Sequence, residues 1–354
     1  MAESGEFRRK ARGAGAVAGG GATGGAPLGR EELCPLDFEE FLWAMGKDAL
    51  ASEIREHFAS SQPYERHAEA MELYRRYLIV GGIPAAVCAW RDAGDYAAAR
   101  EELAAVDAQV TASIDPQVAD GMGVSASRTW KMLPQRVARG VVEKRRRDAA
   151  DEGNAAGEGD AADAQGTPDA GPLEWLRAAG LVATADETHD VCAPLAPSTP
   201  RPGARLVDCR AYLFDTGLLF RKLDIDPKFL ADEGVYRMLG DDKRRALTEN
   251  FVAQQLVANG AQLFYWTPPE TSVRGRIEFL LEVRTGADET ANAQVVPVEV
   301  KFGRSVSGRL RQRFMADSGA AAYVRLADEN FCRTAEPEGY DLVTVPLYAA
   351  FCLA

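Results

Sequence analysis

A mixed α/β fold is predicted by three features of the chain. Between Glu31 and about Ala119, apolar residues recur at helical spacing. From Thr129 to Phe220 come a helix, a polar insertion, a second helix and strands; beyond Gln262, short apolar strings alternate with a polar helix. With 354 residues, 46% of them hydrophobic, the chain can bury a real core and hold two or three domains. The expected divisions are a Gly/Ala-rich tail over 1–30, a helical region over 31–120, a middle region over 121–220 and an α/β domain over 221–354.

The tail, GAGAVAGGGATGGAPLG, has almost no large apolar side chains and is expected to be disordered. A phosphate-binding loop would need a terminal GK[ST], with a strand before it and a helix after it. No Lys follows Lys10 until Lys47 and no apolar strand precedes the glycines, so no ATP site is expected in this chain. In LDFEEFLWAMG, Phe38, Phe41, Leu42 and Met45 follow the helical period, with Asp37 as N-cap and Glu40 at the capping-box position. A second helix runs from about Glu65 to Ile79 and ends at Gly81-Gly82-Ile83-Pro84; a third begins after the turn at 93–95.

TWKMLPQRVARGVVEKRRR reads as a helix ending in a basic cluster. An acidic, small-residue insertion at 148–171 is expected to be disordered, and PLEWLRAAGLVATADE then gives a short helix, a turn and a strand. That order is compatible with a winged helix-turn-helix. Arg139, Lys144, Arg145, Arg146 and Arg147 are the residues expected to meet nucleic-acid phosphates. A basic helix end that complements its own dipole explains the same residues, and the acidic insertion would screen them. A net charge of −12 argues against a uniformly basic nucleic-acid binder.

RAYLFDTGLLF is a strand running into a helix capped by Asp215 or Thr216, and RRALTENFVAQQLVANG is an amphipathic helix. QLFYW, GRIEFLLEV, VVPVEVK, AAYVRL and LVTVPLY are strands, with a helix at 306–315 between the third and the fourth. Alternation puts Glu299 and Lys301 on one face of their strand, and Glu278 opposite Ile277, Phe279 and Leu281 on its own. If the two strands are neighbours, Glu278 and Glu299 converge with Lys301 one step beyond. Two carboxylates are suitable oxygen ligands for Mg²⁺, a nearby ammonium can help deprotonate a metal-bound water, and Glu249 would supply a further carboxylate. A sheet with one solvated face gives the same alternation, and capping explains Glu249.

The order Glu on a helix, Glu on a strand, then Glu-Val-Lys resembles the PD-(D/E)xK nuclease-like fold. More narrowly, LCPLDFEEFL, YRRYLIVGGIP, PLEWLRAAGLV, YLFDTGLL, ALTENFVAQQL, GRIEFLLEV and VPVEVKFG, in that order over most of residues 30–354, resemble one family. It comprises prokaryotic ATPases of the AAA superfamily that carry a C-terminal nuclease-like domain of unknown function. The resemblance implies that Glu249, Glu278, Glu299 and Lys301 occupy the nuclease-like positions. It also makes 31–120 an ATPase-lid-like region and 121–220 winged-helix-like. The chain departs from the pattern in four places: no P-loop core is present, Glu278 stands where Asp is usual, Phe302 replaces a small polar residue, and the acidic insertion interrupts the winged-helix region.

The function expected is therefore that of the module following an AAA-type ATPase core, with a Mg²⁺-dependent phosphodiesterase site acting on DNA. The alternatives are a non-catalytic DNA- or protein-binding regulatory module, whose partner is a separately encoded ATPase or other protein, and a truncated gene product. Six scattered cysteines and three scattered histidines point away from zinc or a disulfide framework. With no apolar run near the length of a membrane span and no signal-peptide core, a cytoplasmic protein with no membrane partner is expected.

Overall fold

Helix α1 (Phe38–Ala44) starts with a complete capping box: Glu40 N–H donates to Asp37 Oδ1 at 2.8 Å and Asp37 N–H to Glu40 Oε2 at 3.0 Å. Helices α2 (Asp48–Ser60), α3 (His67–Val80), α4 (Pro84–Ala93) and α5 (Tyr96–Ile114) follow. α2 and α4 are additional to the helices expected from sequence. The computed structural model describes residues 34–114, 122–146, 171–198, 206–231, 236, 238–269, 275–283, 293–301 and 308–353. The tail at 1–30, all of the acidic insertion but Gly171, Arg147 and Phe302 lie outside the described residues.

Helix α6 (Met122–Ala138) ends sooner than expected. Gly140, at φ 64°, donates to Val137 O, and Val141 N–H reaches back to Arg136 O, which closes the helix. The residues expected to extend this helix instead form strand β1 (Glu143–Arg146). It pairs antiparallel with β3 (Leu206–Leu213), so Lys144 faces Asp208 in register. Between them in sequence lie α7 (Pro172–Ala178) and β2 (Val182–Thr188). After β3 come α8 (Thr216–Lys222), the single turn α9 (Lys228–Ala231) and α10 (Asp241–Ala258). The C-terminal part supplies β4 (Leu263–Trp266), β5 (Ile277–Val283), β6 (Gln294–Val300), α11 (Gly308–Ser318), β7 (Ala322–Ala327), β8 (Cys332–Ala335), β9 (Asp341–Pro346) and a closing 3₁₀ turn (Leu347–Cys352). The exposed β8 was not expected.

The nine strands among the described residues join one mixed sheet in the order β1-β3-β2-β4-β5-β6-β7-β9-β8. Its middle seam is parallel: β2 pairs with β4 from Ala185↔Leu263 to Thr188↔Trp266. Residues 34–354 accordingly form one compact unit; of the boundaries expected at 120 and 220, the first falls between α5 and α6 and the second inside α8. The helical region shares its core with the C-terminal part. Phe38 and Tyr77 pack edge-on against Phe251 of α10, at ring distances of 6.2 and 5.4 Å, and Phe38 also meets Phe351.

A buried polar node ties these elements together. The Asp215 carboxylate caps α8 through Leu218 N–H and accepts Gly82 N–H from the α3–α4 turn, both at 2.7 Å. Gln254 Oε1 accepts from Thr216 N–H and Oγ1, while its amide donates to Tyr77 Oη, which donates to Leu36 O at 2.6 Å. Asn250 exchanges two hydrogen bonds with the backbone of Leu213, and Gln255 caps Phe38 N–H. Gly217 lets α8 approach α3 so closely that a Cβ there would lie 2.5 Å from Gly81 N.

Candidate functional site

Strands β5 and β6 are antiparallel neighbours, with Phe279 opposite Val298. Continuing that register by one step sets Glu278 opposite Glu299. Both faces of the sheet are covered here, one by the core containing Phe279, Leu281 and Val298, the other by Leu280, Val295, Phe314 and Tyr323. The solvated-face explanation therefore fails: Glu278 is 5% exposed and Glu299 2%. The alternation expected from Ile277 to Leu281 also breaks at its first residue. Ile277 joins Leu280's cluster, beside a register irregularity between Phe264 and Trp266.

Helix α10 brings Glu249, 1% exposed, to the same place. Two guanidinium groups meet it: Arg210 of β3 at 2.7 Å from Oε2, and Arg276, just before β5, at 2.9 Å from Oε1. Arg276 Nε stands 3.9 Å from Glu278 Oε1, so this side chain bridges the two carboxylates. The other oxygen of Glu278 accepts the Val300 N–H at 3.0 Å. The network is charged but poorly satisfied. Arg210 Nε and Nη1, Arg276 Nε and Glu249 Oε2 are buried without an aligned hydrogen bond, despite the short charge contact at Oε2.

Burial pushes the Glu278 carboxyl up to about 7, and the charge of Glu249 adds to this; Arg276 and the Val300 N–H pull the other way, and Glu299 raises it further. Burial opposes the charge on Arg210, but Tyr212, Glu249 and Glu278 outweigh it and hold its pKa above the usual value. Tyr323 is likewise raised by burial, then by Glu299 and Glu278. The cluster thus collects three carboxylates against two guanidinium groups at its centre.

Lys301 follows β6 and donates its backbone N–H to Leu326 O. Its ammonium is held by Glu329 Oε1 at 2.6 Å, and Arg325, in register with Glu299 on β7, shares that carboxylate. The structure therefore brings Glu249, Glu278 and Glu299 together and turns the Lys301 ammonium to Glu329. Among the described residues no group of three His, Cys, Asp or Glu side chains is arranged to hold a metal ion.

The expected nucleic-acid patch is dispersed. Arg139 lies exposed in the turn after α6, and Lys144 is ion-paired with Asp208 at 2.5 Å. Arg145 is 2% exposed and clasps Asp186 through Nε at 2.5 Å and through Nη2, which removes it from any phosphate-facing surface. Arg146 lies in β1, opposite Leu206. The reason is the strand itself: alternate residues of β1 turn inward, and a buried Arg needs a buried acid. Sequence reasoning missed Arg210 and Arg276. For Arg210, a lone charge inside the apolar strand string CRAYL was the available signal.

No family model, no curated protein and no solved structure matches the chain. Among the described residues no helix is long and apolar enough to cross a membrane.

Proposed function

We propose that the chain is the C-terminal module of an AAA-type ATPase family protein, whose nuclease-like part cleaves phosphodiesters with a divalent cation at Glu278 and Glu299. In this reading DNA is the substrate, and ATP belongs to a preceding or separately encoded core. The observation that carries the reading is the pairing of two buried carboxylates across β5 and β6, with Glu249 from α10 above them. The donor chemistry suits the ion: hard carboxylate oxygens, gathered where burial, and then the charge of Glu249, push Glu278 up to about 7. When bound, the cation would activate water and neutralise charge on the transferring phosphate. Glu278 and Glu299 would hold it, and Glu249 would join only if Arg276 swung away. Lys301, released from Glu329, would orient water or stabilise the phosphorane; Arg210 and Arg276 would hold phosphate oxygens.

Titration with Mg²⁺ or Mn²⁺ at pH 8, followed by thermal unfolding, tests cation binding without relying on activity. The melting temperature of the native chain should rise, and that of a Glu278→Gln, Glu299→Gln double variant should not. Nicking of supercoiled DNA should require the metal and vanish in Glu299→Ala and Lys301→Ala. Nicking that survives both changes overturns the catalytic reading.

A second reading is favoured by Arg276, which occupies the space between Glu249 and Glu278, and by the Lys301–Glu329 pair. Here the arginines take the cation's place, and the module binds DNA or a protein partner without chemistry. Absence of both metal stabilisation and nicking, with binding retained, selects it.

A further inference from the structure

A cavity of about 330 Å³ lies among α5, α6 and the end of α8, lined by Arg100, Asp107, Lys131, Arg221, Lys222 and Asp224. Four cations and two carboxylates line it, a net charge of +2 on a chain whose formal net charge is −12. Asp107 is its anchor. One oxygen accepts the Trp130 indole N–H at 3.0 Å and the Lys222 ammonium at 2.7 Å; the other contacts Arg221 at 3.1 Å. Lys222, 9% exposed, also lies over the Trp130 ring at 4.5 Å. Arg100 is fixed by the Ile225 carbonyl at 3.0 Å, and its pair with the 97% exposed Asp224 is loose, at 3.7 Å. Lys131 is exposed and has no ion-pair partner among the described residues.

We infer that this cavity is a phosphate-binding site, taking the phosphate groups of a nucleotide or of a nucleic-acid backbone. Asp107 spends one donor of Arg221 and one of Lys222 to fix their positions, and leaves the remaining N–H groups for an oxyanion. A guanidinium and an ammonium held this way are pre-organised, so an incoming phosphate orders little beyond Lys131. In the expected patch at 139–147, by contrast, Lys144 and Arg145 are paired one for one with Asp208 and Asp186. The site is independent of the carboxylate cluster.

Calorimetric titration of the full chain with inorganic pyrophosphate at low ionic strength tests it. Saturable binding at one site is expected, weakened about tenfold or more by Lys131→Met with Arg100→Met. The control pair Arg139→Met with Lys144→Met should leave it unchanged. Lys131→Glu alone, at an exposed position, keeps the test open if the double variant fails to fold, and should weaken binding similarly. Competition by ATP or ADP assigns the site to nucleotide phosphates; competition by a single-stranded oligonucleotide alone assigns it to a backbone. No saturable binding, binding unaffected by the Lys131 changes, or equal loss in the control pair overturns the proposal.

Discussion

Two buried polar networks lie on α10, and they differ in how their bonds are spent. Around Asp215, the carboxylate, the amides of Asn250, Gln254 and Gln255, the Thr216 hydroxyl and Tyr77 are all hydrogen-bonded. Around Glu249, five residues before Gln254 on the same helix, guanidinium N–H groups and a carboxylate oxygen are buried with nothing aligned to them. The first is what a scaffold needs, since a satisfied network fixes one arrangement of its elements. The second keeps charge and unspent donors in the interior, which stability alone does not favour and which ligand or substrate oxygens would use.

Changes at the two sites should therefore fail differently. Glu249→Ala leaves the buried Arg210 without its ion-pair partner and should destabilise the fold by about 3–5 kcal/mol. Replacing both partners, as Glu249→Leu with Arg210→Met, should restore most of that loss. Urea unfolding measures both, and an uncorrected double variant would mean the pair is scaffold like its neighbour. Gly217→Ala drives a methyl group into the Val80–Gly81 backbone and should cost about 3 kcal/mol, with no rescue by metal or phosphate.

Titration separates the networks further. Glu278 keeps its proton to about pH 7 when folded but loses it near 4.5 when unfolded. The folded state binds the extra proton between those values, so its contribution is present at low pH and is lost as pH rises through 7. That loss should amount to roughly 3 kcal/mol. Asp215 and Asp37, both raised by burial to about 6, give the same sign over a lower window, from about 4 to 6. Glu278→Gln should flatten the profile between pH 6 and 7 and reduce, without abolishing, the slope below 6; an unchanged upper slope would remove Glu278 from the account. The smallest effect is expected at the surface: Lys144→Met, which removes an exposed and solvent-screened ion pair, should leave the urea midpoint essentially unchanged.

Local chemistry was legible in the chain. Asp37 and Glu40, the Gly81-Gly82 stop and the strands bearing Glu278 and Glu299 follow from spacing and capping alone. Long-range pairing was not. Asp215 meets Gly82 across 133 positions and Arg145 meets Asp186 across 41, and neither sequence carries a mark of its partner. The Glu–Leu–Glu alternation of β5 imitates a half-solvated strand, yet α11 covers that face with Leu310, Phe314 and Met315. Alternation reports which residues share a side of a sheet, and the cover on that side comes from residues distant in sequence.

The parallel pairing of β2 with β4 bears on how the protein can be dissected. A fragment begun at 221 matches the change in sequence pattern, but it would strip β4 of its neighbour. It would expose one backbone edge of Leu263–Trp266 and take Arg210 from Glu249 and Phe38 from Phe251. Such a fragment should aggregate or stay unfolded, and a negative assay on it would say nothing about Glu249, Glu278 and Glu299. The smallest piece that can be assayed fairly is the one that keeps the seam, beginning before α1.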